Sequence, residues 1–184
     1  MIGASPLPQT TIMAYPEWFR FDAELDLLLE RDVDVPVEPI WRAWTDPVHL
    51  LPWFCPAPWQ TVACEIDLRP GGRFHTVMRS PEGQKFPSDG CYLEIVPNRR
   101  LVWTSALGPG FRPLPPPVAA PGHECAEFAF TACLSLEPVG NGTRYVAIGR
   151  HADAASRKRH EDMGFHDGWG AVLDQLVDYV RTMK

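Results

Sequence analysis

From Gln60 onward apolar residues recur at every second position, and near the C-terminus the interval changes to three or four; this switch of period most constrains the fold. Val62, Cys64, Ile66 and Leu68 are predicted to point one way, and Glu65, Asp67 and Arg69 the other, as in a half-buried strand. Pro70-Gly71-Gly72 supplies a hairpin turn, since glycine adopts positive φ at little cost. The stretches GRFHTVMRS, GCYLEIVPN, RLVWTSAL, AEFAFTACLSLEP and TRYVAIGRH continue the series, with PEGQ and GNG as turns. His166, Trp169, Leu173, Leu176 and Val180 then form a helical stripe opposite Asp167, Asp174, Asp178 and Arg181. The helix is expected to begin near Asp153 or Ser156 and to run almost to the end.

Upstream, ELDLLLERDVDV alternates loosely and reads as a first strand. PVEPIWRAWTD opens on prolines, which the first helical turn tolerates, and puts Ile40, Trp41 and Trp44 on one face. DPVHLLPWF restarts a second short helix that Pro52 and Pro56 stop. Residues 1–23 read as an extension and 24–184 as one domain. The predicted class is α+β: a curved, mostly antiparallel sheet of about seven strands around a long C-terminal helix, with two short helices after the first strand. One helix cannot fill the concave side of such a sheet, so a pocket is expected between them.

The net charge of −6, without any Lys/Arg block, gives no electrostatic footprint for nucleic acid. No apolar run approaches the length of a membrane span. The first nineteen residues contain no Lys or Arg and no continuous apolar stretch, so they do not read as a secretory signal and a cytoplasmic location is expected. The five cysteines, Cys55, Cys64, Cys91, Cys125 and Cys133, are scattered; they read as reduced thiols, mostly small apolar residues on strands. No clustered zinc ligands, phosphate loop or nucleophile elbow is spelled, and no cofactor or metal is expected.

Among polar residues His166 stands out, because its stripe should aim it at the sheet, as a ligand anchor, an acid/base or a core histidine satisfied by a carbonyl. His160 and His166 are six apart, on different faces of one helix, and do not make a two-histidine metal motif. The charged group Glu65, Asp67, Arg69 and Arg73 reads chiefly as an outer strand face with ion pairs. Gly164, Gly168 and Gly170 either leave space beside Trp169 or mark a turn before a later helix start. Trp53, Phe54, Trp59, Phe74, Tyr92, Trp103, His151, His166 and Trp169 are the candidate cavity residues. The proline-rich segment 108–122 is expected to be a stiff loop at the sheet edge, a lid or a dimer contact.

The segments PVEPIWRAWTDPVHLLPWF, CEIDLRPGGRF, GCYLEIVPNRRLVWT and GFHDGWGAVLDQL, in this order, resemble the SRPBCC (START/Bet v 1-like) superfamily. Within it they resemble the family named for the activator of heat-shock-protein-90 ATPase. The resemblance implies a helix-grip fold and a mostly apolar cavity. Trp53-Phe54 stands where two adjacent tryptophans are usual, and the proline loop is longer than usual; both should reshape the pocket mouth. Three functions follow as expectations. The first is a binding module for a small apolar or amphipathic molecule, lipid-like or aromatic. The second is a cyclase, dehydratase or hydrolase acting on an aromatic or polyketide-like substrate, with His166 beside His75, Tyr92 or His151. The third is a chaperone ATPase activator, disfavoured because residues 1–24 cannot supply the additional N-terminal domain such members carry. A homodimer is a further possibility, since edge strands need covering.

Overall fold

The computed structural model describes residues 20–115 and 128–183. The chain runs β1 (Asp26–Val33), α1 (Val37–Thr45), α2 (Pro47–Leu50), β2 (Gln60–Ile66), β3 (Arg73–Arg79), β4 (Lys85–Val96) and β5 (Arg100–Thr104). It continues through β6 (Leu107–Gly108), β7 (Arg112–Pro113), β8 (Phe130–Val139), β9 (Gly142–His151), α3 (Ala154–Asp162) and α4 (Phe165–Thr182). Seven strands form one antiparallel sheet in the order β1-β9-β8-β5-β4-β3-β2. The first two strands are therefore opposite edges, and α1 and α2 carry the chain between them.

The register puts Leu27 opposite Gly149, Leu29 opposite Ala147, and Ala147 opposite Leu134, all on the side that α4 covers. Phe165, Leu173, Leu176, Val177 and Val180 are the buried residues of α4. Full burial of one such leucine contributes about 1.5–3 kcal/mol, so this stripe is the main attachment of helix to sheet. On α1 the buried residues are Val37, Ile40, Ala43 and Trp44. Asp46 caps α2 by accepting from the Val48 N–H, and Pro47 occupies a first-turn position where no N–H is needed. Gln175 on α4 fastens the segment after α2: its amide donates to the Trp53 and Cys55 carbonyls and its Oε1 accepts from the Ala57 N–H.

Four local expectations need correction. The C-terminal helix is two helices, broken at Gly164, whose φ of +89° ends α3 in a left-handed conformation that glycine alone adopts easily. Asp153 caps α3 by accepting from the Ser156 N–H. His166 is exposed, and its neighbour Phe165 takes the inward place. Leu68 lies beyond the end of β2 and is 40% exposed, and β2 carries a bulge between Thr61 and Ala63 that resets its alternation. The described part of the proline segment lies at the end of the central strands β5 and β8, not at a sheet edge. There Gly110 N–H donates to the Gly71 carbonyl and the Phe111 ring covers the space where a Gly71 Cβ would stand. Residues 116–122 of that segment, like Trp18, Phe19 and Cys125, lie outside the described residues.

Two glycines of the C-terminal segment should respond oppositely to alanine. Gly164→Ala forces a side chain into a positive-φ conformation and is expected to cost about 1–2 kcal/mol. Gly168 lies within α4 with open space around its absent Cβ, so Gly168→Ala is expected to stabilise by about 0.5–1 kcal/mol. Urea unfolding of both variants checks the pair.

Candidate functional site

Two groups of aromatic rings fill the space between sheet and helices. The first joins α1, the segment after α2 and strands β3 to β5. Trp44 meets Trp53 at 4.9 Å between centroids, Trp103 at 5.1 Å and Phe54 at 5.7 Å. Phe74 meets Tyr92 at 5.3 Å, Trp103 at 5.5 Å and Phe54 at 5.7 Å. These are edge and tilted contacts, the arrangements that ring quadrupoles favour. Trp53 Nε1 is satisfied by the His49 carbonyl at 2.8 Å.

One polar atom in this first group has no partner among the described residues, the buried Tyr92 hydroxyl, whereas the Trp44 indole N–H lies toward the Tyr145 hydroxyl. A buried hydroxyl without a partner forfeits its water without a replacement, at about 1–3 kcal/mol. Burial pushes the Tyr92 phenol well above its ordinary range, with the neighbouring Cys64 adding to the effect, so it remains a neutral donor.

The second group lies where β8, β9, α3 and α4 meet. His151 Nδ1 is 2.9 Å from the Leu25 carbonyl oxygen, and His151 Nε2 is 2.9 Å from His160 Nδ1. Phe128, Phe130 and Phe165 stand 4.9, 5.0 and 5.0 Å from the His160 ring, and Trp169 stands at 6.3 Å. A carbonyl only accepts, so neutral His151 must carry its proton on Nδ1, which leaves Nε2 to accept from His160 Nδ1–H. Burial, helped by His151, drives the His160 pKa down to about 4, and burial also lowers that of His151.

The candidate cavity residues thus divide. Trp53, Phe54, Phe74, Tyr92 and Trp103 are brought together in the first group, and His151 and Trp169 in the second. Trp59 joins neither: it packs on Phe86 at 5.0 Å and, with Leu51, Cys55 and Thr61, lines a separate hollow of about 240 Å³. His166, expected to face the sheet, contacts only the Phe165 ring among the described rings and belongs to neither group. His75 sits on β3 with Nδ1 3.1 Å from Asp89 Oδ1, beside Arg73 and far along the sheet from His151. The Asp153 cap starts α3 so that Ser156 and His160 fall four apart on one buried face, but nothing in the spacing pairs His160 with His151 on the preceding strand.

A larger hollow of about 430 Å³ runs between β1 and α4, walled by Arg31, Asp32, Asp34, Asp174, Asp178 and Arg181. Its charges are paired: Arg31 with Asp174 at 2.7 Å, and Arg181 with Asp34 and with Asp178. Cys55, Cys64, Cys91 and Cys133 are free thiols, and burial pushes Cys64 up to about 11 and Cys133 up to about 12. Neither thiol is an activated nucleophile. Among the described residues no group of three or more His, Cys, Asp or Glu could hold a metal ion, and no helix is long and apolar enough to cross a membrane.

The histidine pair makes stability pH-dependent with a definite sign. Unfolded, His160 takes up a proton near its ordinary pKa of about 6.5. Folded, it does so only near about 4. Between those values the unfolded chain holds more protons, so the contribution is complete above about pH 6.5 and is lost as pH falls toward 4. The loss is expected to approach about 1.4 kcal/mol per pH unit within that window. Denaturant titrations from pH 7 to 5 check it: wild type should lose stability there, above the range where carboxylates titrate, and His160→Phe should show a flatter profile.

The family model for the Activator of Hsp90 ATPase homolog 1-like protein matches residues 34–181. No protein of established, curated function matches the chain significantly. Among solved structures, a Nitrosomonas europaea protein is 46% identical with a TM-score of 0.80, covering 88% of this chain and 97% of its own. An Arthrobacter aurescens protein has 20% identity and a TM-score of 0.71, over 87% of this chain and 88% of its own. An AHSA1-like protein of Aeromonas hydrophila has 19% identity and a TM-score of 0.59, over 85% and 92% respectively. The last two resemble this chain in fold alone.

Proposed function

The chain belongs to the Activator of Hsp90 ATPase homolog 1-like family, and on that footing we propose that it is a small-molecule-binding domain holding an apolar or amphipathic ligand, lipid-like or aromatic, between sheet and C-terminal helix. The observation that carries this reading is the unpartnered Tyr92 hydroxyl, fully buried in the aromatic group. A fold that keeps a buried donor idle carries a standing cost that a ligand acceptor would remove. Apolar walls with a few placed polar groups are the usual make-up of a small-molecule site. The rings stand 4.9–5.7 Å apart, so an occupant enters by turning rings aside.

The enzymatic reading built on His166 loses its anchor, because that side chain is exposed. Activation of a chaperone ATPase is supported by the family's name alone.

Tyr92→Phe separates a ligand donor from a packing residue. Removing the idle hydroxyl should leave the free protein as stable or more stable, by up to about 1–2 kcal/mol. The same change should weaken a bound acceptor-bearing ligand by about three- to tenfold. Native mass spectrometry of gently purified protein, followed by a thermal-shift screen of fatty acids and aromatic carboxylates on both proteins, reads the two effects. A ligand held equally well by both proteins would remove Tyr92 as its anchor. Absence of any bound molecule and of any thermal shift would end the binding reading.

A further inference from the structure

We infer that α3 is a strap over the β9 end of the space between sheet and helix, latched by the hydrogen bond between His160 and His151, hinged at Gly164 and released when that pair takes up protons. The release stands without the binding reading; only the strap's use as a ligand's way in rests on it. The ground is how little else holds α3. Its buried residues are Ser156 and His160. Ser156 is spent locally: its N–H and hydroxyl donate to Asp153, and its oxygen accepts from Arg159. Ala154 and Ala155 are exposed. Arg157 pairs with Glu161 of the same helix at 2.7 Å, and its bond to the body is a long one of 3.5 Å to the Asp26 carbonyl. Among the described residues His160 is therefore the one sizeable side chain that packs α3 down, among Phe128, Phe130 and Phe165 at 4.9–5.0 Å. At the other end Gly164 holds a left-handed conformation with open space where a Cβ would stand, which lets the joint to α4 pivot.

A histidine is a latch that acid can open. In the neutral pair His151 Nδ1–H donates to the Leu25 carbonyl and His160 Nδ1–H donates to His151 Nε2, each at 2.9 Å. A first proton can leave the second bond in place, but it sets a cation among phenyl rings, where it has lost water. A second proton sets N–H against N–H and charge against charge, and the bond cannot survive it. Asp26 on β1 and Asp153 before α3 favour protons on the pair, and Arg157 on α3 opposes them. Arg150 on β9 lies 3.7 Å from Asp26 and draws on the same carboxylate. On the β8 and α4 sides the neighbours are the rings of Phe128, Phe130, Phe165 and Trp169, which carry no charge, while His166 and Asp167 of α4 are exposed. Burial prevails over the carboxylates, and both imidazoles resist protonation while latched. Released, they return to an ordinary value of about 6.5. Between that value and about 4 the released form holds more protons, so falling pH favours it. Each proton taken up on release raises the ratio of released to latched protein about tenfold per pH unit in that window. Release bares the Phe128 and Phe130 rings and opens the sheet–helix space at that end.

Amide hydrogen exchange of the whole protein at pH 7 and pH 5, each corrected for the chemical exchange rate, tests the strap. A nine-residue helix without support is marginal in water, so release is read as faster exchange of its amides. Amides 157–163 should open at least about tenfold more often than amides 173–180 of α4, because release leaves the rest folded. They should open about tenfold more often again at pH 5 than at pH 7. His160→Phe, which suits the ring cage and takes up no proton, should make the protection of α3 nearly independent of pH. Imidazole nitrogen spectra of wild type should show His151 and His160 gaining protons over the range in which the α3 amides open. Exchange of α3 at the rate of α4 overturns the inference, since α3 then opens only when the domain unfolds. Equal protection of α3 at both pH values overturns it too, as does an undiminished rise in His160→Phe. A rise seen while both imidazoles stay neutral does the same. The wild-type measurements decide the matter even where the variant does not fold, and the Tyr92→Phe comparison decides the binding reading separately.

Discussion

The apolar stripe of α4 against the sheet is the interaction on which the rest depends. Leu173 and Leu176 are almost wholly buried, and they hold a helix that also carries Trp169 into one aromatic group and Gln175 under the other. Without that helix the concave faces of β8 and β9 would lose their cover, and the α1–α2 bridge would lose the side chain that ties it down. Surface ion pairs such as Arg31 with Asp174 add little by comparison, because both partners remain in water.

Under that helix the two aromatic groups treat polar atoms in opposite ways. In the first, Tyr92 buries a hydroxyl that finds no acceptor. In the second, each proton of the histidine pair has a defined destination.

The architecture was legible because it is written as period and punctuation. Alternation around Cys64 and Ile66, the Pro70-Gly71-Gly72 turn, the Pro47 start and the Leu173–Leu176–Val180 stripe each have a local cause, whereas the place of β1 beside β9 has none. The site was legible only in part. Phe74, Tyr92 and Trp103, which stand out as aromatic residues of the sheet rather than from an alternation, lie together in the core. His166 does not join them: it stands in the first turn of α4, where Phe165 takes the buried place and His166 is exposed. His160 escaped because its role depends on His151. Its partner lies nine residues away across a strand end and a capped helix start, a relation that no spacing rule expresses.

The placement of the first strand has a kinetic side. β1 pairs only with β9, so Asp26 must find Arg150, whereas the hairpins β2–β3 and β8–β9 join residues close in the chain. Closing so long a loop costs entropy before any contact rewards it, and non-local pairing of this kind slows folding. During synthesis the first strand emerges early yet has no edge to join until the last strand is made. The meander can assemble in the order in which it is produced, and the sheet is completed by its oldest segment arriving last.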